Sequence, residues 1–209
     1  MSKADTLIFI DTCTLLVSCW NENKDGAIVY DQNKDESFWQ TEIPTLIHAG
    51  KLIVTKRNYD ELVKLSHVRN DPNRPQLGER CEFVIQRLNP HIANGAISIV
   101  GDANDPFADA ILLSAALKFR TQKNLLFITQ DRALAEDLTA VSYFQSVQPR
   151  NGYELKVRRI TREGCLSPWR FVSSQREVRQ AQPRKQERLR GGASTKHASE
   201  DCPQPEWWR

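Results

Sequence analysis

The sequence is poor in several features, and each shortage removes a class of function. Its five cysteines (Cys13, Cys19, Cys81, Cys165 and Cys202) are odd in number, scattered, and never form a C-x-x-C pair. That argues against a disulfide framework and a zinc module, and fits a reduced, cytoplasmic protein. The four histidines (His48, His67, His91 and His197) have no spacing of the H-x₃-H kind, so a histidine-based metal site is not expected. The nine glycines never assemble into G-x-G-x-x-G or G-x₄-G-K-[ST], which removes the two commonest backbone cradles for phosphate. Long apolar runs are missing too. The most apolar stretches, residues 6–20 and 108–117, carry Asp11 and Asp109 inside them, so no membrane span is expected. A secretory leader is not expected either, since the first apolar run contains an acid and lacks a basic flank and a small-residue cleavage site.

What remains is a chain of 209 residues, 40% hydrophobic and 26% charged, enough for one α/β domain with a sizeable core and some surplus. The net charge of +3 is unevenly spread. Residues 1–149 hold 15 Lys/Arg and 19 Asp/Glu, a balance of −4, whereas residues 150–209 hold 14 and 7, a balance of +7. A basic end on a mildly acidic body suits a polyanionic partner, because Lys/Arg clusters release counterions from phosphates. Simple solubility explains such an end equally well.

Strong patterning runs to about residue 172. Buried strands are expected at residues 7–10, 52–55, 97–100, 125–129 and 155–160. Helices are expected at 37–49 (ended by Gly50), 59–68, 77–88, 107–119 and 132–138, with a loop at 70–75. Strands alternating with helices predict a parallel sheet covered on both faces. This gives a domain over residues 1–172. Residues 173–209, rich in Gln, Arg, Lys, Ser and Gly, are expected to form a basic, disordered tail.

In an open α/β sheet, ligands bind beyond the carboxyl ends of the strands. Here each such junction supplies a carboxylate: Asp11 after the first strand, Glu61 in the helix after the second, Asp102, Asp105 and Asp109 after the third, and Asp131 after the fourth. Local roles account for several of them, because helix N-termini favour acids. Asp131 can cap the helix at Arg132, Asn58 with Glu61 resembles a capping box, and Asp105 before Pro106 is a natural N-cap. Asp109 and Asp11 are harder to dismiss, the former within an apolar helix expected to be buried, the latter on a central strand. Acids that converge would repel by about 4 kcal/mol per close pair at ~4 Å and an effective dielectric near 20. Such a site must bind protons or cations, and all-oxygen ligation points to Mg²⁺ or Mn²⁺. Lys56, Arg57 and Arg132 stand nearby in sequence, where they would hold flanking phosphates.

The segments Ile8-Phe9-Ile10-Asp11-Thr12, Tyr59-Asp60-Glu61-Leu62, Asp109-Ala110-Ile111-Leu112-Leu113-Ser114-Ala115-Ala116 and Leu126-Phe127-Ile128-Thr129-Gln130-Asp131-Arg132-Ala133-Leu134 resemble, in order and spacing, the acidic signature of the PIN-domain nucleases. The resemblance covers about residues 5–160. It implies a PIN-like, Rossmann-related three-layer sandwich with a five-stranded parallel sheet of order 3-2-1-4-5. It also implies divalent-metal-dependent endoribonuclease activity with Asp11, Glu61, Asp109 and Asp131 as catalytic and metal-binding acids. Thr129 falls where the family often carries a hydroxyl near the metal, and Asp105 is a secondary acid that would assist or replace Asp109. RNA is the implied partner, with DNA open because nothing in the sequence reads a 2′-hydroxyl. Small members of the family are commonly bacterial toxins held by a protein antitoxin. This chain is longer, so an RNA-processing role stands beside that one, and its oligomeric state, a homodimer included, stays open.

Two other acidic Rossmann-like classes fit poorly. Haloacid-dehalogenase-type phosphatases need an Asp where this chain has Cys13, and receiver domains need a late-strand Lys where it has Asp131. The remaining rival is a PIN-like scaffold that binds RNA or protein without cutting.

Overall fold

The fold was obtained as a computed structural model, which describes residues 5–68, 76–102, 107–144, 152–169 and 171. The expected loop at 70–75, Asp105 and the basic tail lie outside these residues. In chain order the elements are β1 (Thr6–Ile10), α1 (Thr12–Val17), β2 (Trp20–Glu22), β3 (Ile28–Tyr30), α2 (Gln32–Glu36), a π-helical segment (Ser37–Glu42) and α3 (Ile43–Ala49). There follow β4 (Lys51–Thr55), α4 (Lys56–Ser66), α5 (Leu77–Ala93), β5 (Ile97–Val100), α6 (Ala108–Phe119), β6 (Asn124–Ile128), α7 (Arg132–Val141), β7 (Leu155–Ile160) and β8 (Leu166–Pro168). No helix among the described residues is long and apolar enough to cross a membrane.

The main sheet has the order β5-β4-β1-β6-β7-β8, and the first five strands pair in parallel. The expected five-stranded, wholly parallel sheet therefore needs correcting in its strand count and in how its order ends. β8 adds a sixth strand, antiparallel to β7, through the tight turn at residues 161–164. The sequence of β8 is too short and too polar to announce itself by period.

Alternation along the central strands builds two cores. Ile8 and Ile10 of β1, with Leu52 and Val54 of β4 and Ile128 of β6, face one side, packed with Leu15, Phe38, Ile43, Leu62 and Val84. Phe9, Ile53 and Phe127 face the other, against Leu112 and Ala116 of α6 and Leu134 and Leu138 of α7. The period-2 alternation of strand side chains thus produces the helix–sheet–helix sandwich that the pattern predicts.

The helix expected at 37–49 begins earlier, at Gln32, and widens in its middle. The Ile43 N–H bonds back to the Phe38 carbonyl, five residues earlier. Pro44 follows directly, and its ring would crowd the carbonyl one turn back in a regular α-helix, which the wider turn relieves. That helix stops at Gly50, whose backbone is extended (φ −173°). Glycine is needed there for space, since a Cβ would lie 2.6 Å from the Thr6 carbonyl oxygen. Gly50→Ala is accordingly expected to cost about 1–3 kcal/mol by steric displacement of β1. A lowered urea midpoint with an unchanged slope would show it, whereas an unaltered midpoint would mean that β1 shifts freely.

Candidate functional site

Because β1, β4, β5 and β6 run in parallel, their carboxyl ends emerge on one edge, and the candidate acids follow from it. Asp11 stands directly after β1. Its backbone N–H bonds to the Ile128 carbonyl of β6 at 3.0 Å, which ties it to the strand that delivers Thr129 and Asp131. Asp11 is only 6% exposed. Its Oδ1 accepts from the Thr12 backbone N–H at 2.8 Å and so caps α1, a helix the sequence did not announce. Its Oδ2 accepts from the Cys13 thiol at 2.6 Å and the Thr129 hydroxyl at 2.9 Å.

Burial dominates this carboxyl group. It lifts Asp11 from the ordinary 3.8 to about 6, against the stabilising bonds from Cys13 and Thr129, and the charge of Asp109 pushes the same way as burial. Cys13 is held well above the usual thiol range, by burial first and then by the Asp11 charge, so it stays a neutral donor. The Gln130 backbone N–H points at its sulfur from 3.2 Å. Thr129 in turn accepts the Asp131 backbone N–H at 3.0 Å. A hydrogen-bonded network thus links Asp11 to the start of α7. Thr129→Val is expected to push the Asp11 carboxyl above about 6, because a bond that favours its charged form is lost. Carboxylate carbon NMR titration checks this, and a lower value would mean that the hydroxyl does not serve the anion.

The capping-box reading places Asn58 at the start of its helix, and the structure corrects that. The cap of α4 is Thr55, whose hydroxyl accepts the Asn58 N–H at 3.1 Å, so the helix starts at Lys56 with no loop after β4. Asn58, fully buried, instead turns inward. Its amide donates to the Ile10 carbonyl at 3.3 Å and lies 3.5 Å from Asp11 Oδ1, while its own Oδ1 has no partner. The Thr12 hydroxyl is a second buried polar atom without a partner in this corner. Asn58 and Cys13 are site residues that sequence reasoning missed. The only signal was a polar side chain at a helix position facing the strands, which an unaligned cap motif outweighed.

The earlier start of α4 also moves Glu61 out of the first turn into the second, where it is exposed. Asp109, expected to be buried, is exposed as well: α6 buries Leu112 and Ala116 and turns Asp109 outward. Asp109 nevertheless senses the whole set. Its carboxyl is raised by desolvation first, then by the charges of Asp131, Glu61 and Asp137. Asp131 is half-buried and caps α7 through the Leu134 N–H at 3.0 Å, so the structural role foreseen for it is present.

Among the described residues none of these four acids has an ion-pair partner. The nearby cations are otherwise engaged: Lys56 pairs with Asp60, and Arg132 with Glu136 at 2.9 Å, each along one helix surface. Such i,i+4 pairs, half-buried for Lys56–Asp60 and exposed for Arg132–Glu136, are worth only about 0.3–0.5 kcal/mol, so a phosphate could compete for either cation. Arg57 is exposed. Among the described residues, no three His, Cys, Asp or Glu side chains stand close enough to hold a metal ion as they lie. The four acids share one edge and one electrostatic neighbourhood without closing into a cage.

No protein-family model and no characterised protein sequence matches the chain. Among solved structures it is similar to that of the PIN domain endonuclease Utp24, with a TM-score of 0.47 and 13% identity over 79% of this chain and 92% of the other.

Proposed function

We propose that this chain is a PIN-like nuclease that hydrolyses RNA phosphodiester bonds with a divalent metal. One observation carries the reading: Asp11, buried at the carboxyl end of a central strand, has its charge opposed by Asp109, which in turn faces the charges of Asp131 and Glu61. No cation among the described residues compensates them. Keeping like charges together at a functional edge raises the energy of the metal-free protein, and a hard cation relieves it. The donor set fits Mg²⁺ or Mn²⁺, being all oxygen: Asp11, held by its hydrogen bonds, with Glu61, Asp109 and Asp131, would supply the carboxylates. When bound, such an ion activates a water and braces the oxygens of an in-line phosphoryl displacement.

The chain's own residues do the positioning. Cys13 and Thr129 orient Asp11 and hold its inner oxygen, and the Thr129–Asp131 bond fixes the start of α7. Lys56, Arg57 and Arg132 flank the edge with exposed or weakly paired positive charge suited to phosphates. A second reading, a PIN-like scaffold that binds RNA without cutting, is favoured by the absence of any three-donor cluster among the described residues.

The 209-residue chain incubated with single-stranded RNA and DNA separates these readings. Cleavage with Mn²⁺ or Mg²⁺, none in EDTA, and a Mn²⁺-dependent rise in Tm of several degrees are expected of the nuclease. RNA binding with neither cleavage nor a metal-dependent Tm rise would leave the scaffold reading.

A further inference from the structure

The geometry points to a nucleic-acid contact on the β7–β8 hairpin, in which Arg159 and Trp169 receive a nucleotide of a single-stranded chain beside the acidic edge. The inference rests on the nuclease reading of that edge and names the form of substrate it takes. β7 lies next to β6 and parallel to it, so its carboxyl end emerges on the same edge as Asp11 and Asp131. The two are stitched together there, since the Thr129 N–H bonds to the Arg158 carbonyl at 3.0 Å and the Gln130 amide to the Ile160 carbonyl at 3.0 Å.

The antiparallel β8 runs back from that edge and brings in Trp169, whose backbone N–H bonds to the Val157 carbonyl at 3.5 Å and whose side chain reaches the site. Its indole N–H donates to the Thr129 carbonyl at 3.1 Å, the same residue whose hydroxyl reaches Asp11 at 2.9 Å. With its polar edge fixed on the backbone, the indole has a fixed plane. The ring is only half-buried, and the exposed Arg159 guanidinium lies over it at 5.3 Å from its centroid.

A planar cation on an aromatic ring, one residue away from a buried carboxylate, suits a polymer that alternates planar bases with phosphates. The guanidinium offers paired donors to a phosphate, and the indole offers π surface to a base. A duplex hides its base faces in the stack, which makes the single strand the fitting form. An acidic peptide would use the charge and leave the ring without a role. An arginine stacked on tryptophan can also serve merely to latch a hairpin, so the test has to separate latch from contact.

Anisotropy of a labelled, unstructured oligouridylate, measured in EDTA with the full 209-residue chain carrying Asp11→Asn, provides that test. Trp169→Ala and Arg159→Gln are each expected to weaken binding about tenfold to a hundredfold. Arg159→Gln should also reduce the salt slope by about one phosphate's share, whereas Arg159→Lys should preserve the slope. The same oligonucleotide annealed into a duplex should bind more weakly. Because Trp169→Ala could disturb β8, circular dichroism accompanies each variant, and Arg159→Gln, at an exposed position of β7, decides the matter if the tryptophan variant misfolds. Parent-like affinity of folded Arg159→Gln, or equal affinity for single strand and duplex, overturns the proposal. Cleavage by the unsubstituted chain is scored separately. If Arg159→Gln weakens binding but the unsubstituted chain never cuts, the nuclease reading fails and the surface stands. If the chain cuts and Arg159→Gln leaves its KM unchanged, the surface fails and the nuclease stands.

Discussion

Asp11→Asn protein is expected to lose metal-dependent RNA cleavage, by on the order of 10³-fold, while becoming more stable than the parent in EDTA. The two effects share one cause. Asp11 is buried with its charge uncompensated, and its folded-state pKa stands at about 6 against an ordinary 3.8. Between those values the native state binds the proton more tightly than the unfolded chain does. Stability of the metal-free protein therefore falls as pH rises from about 4 through about 6, and the full cost persists above. The difference corresponds to about 3 kcal/mol at neutral pH. Asparagine escapes this cost: its oxygen can still accept the Thr12 N–H and its amide can donate to the Thr129 oxygen, and only the bond donated by the Cys13 thiol is lost. Urea unfolding in EDTA at pH 7.5 and pH 4 should show a large stabilisation at the first and almost none at the second. Equal or lower stability of Asp11→Asn at pH 7.5 would remove the uncompensated carboxylate on which the functional reading stands, and retained cleavage would remove its catalytic role.

Phe127→Ala is expected to be the most destabilising single change in the sheet, by about 3–5 kcal/mol. Phe127 is 1% exposed, and its ring stacks on that of Phe9 with centroids 5.0 Å apart and planes 10° from parallel. The two residues are register partners on β6 and β1, the strands that lead directly into Thr129 and Asp11. Truncation opens a cavity between the sheet and α6–α7 that backbone relaxation could fill only by disturbing this pairing. The urea midpoint should fall with little change of slope, and a loss below about 1 kcal/mol would show that the second core collapses around the gap.

Much of this was legible in the sequence where a local rule and the tertiary context agree. Ile8-Phe9-Ile10 and Leu125-Leu126-Phe127 are short apolar runs rich in β-branched or aromatic residues, and they lie where buried parallel strands must lie. Helix boundaries were less legible. Thr55 caps α4 directly from the end of β4, and nothing in Asn58-Tyr59-Asp60-Glu61 betrays that the cap sits three residues upstream. The misplaced start carried the misplacing of Glu61 with it. Asp109 failed for another reason. α6 is apolar nearly all round, so periodicity could not say which side the sheet takes, and the acid is exposed.

The layered α/β character and the supply of at least one acid at each junction of the sheet edge could be read from the chain alone, because both follow from side-chain period and chain order. The environment of each acid came from folding, through long-range contacts that no local pattern encodes. Burial sets the proton affinity of Asp11, and the partners that set its geometry come from elsewhere in the chain: Thr129 is 118 residues away and Asn58 is 47. The hairpin that returns Trp169 to Thr129 belongs to the same class, since a three-residue strand acquires meaning only from the strand it pairs with.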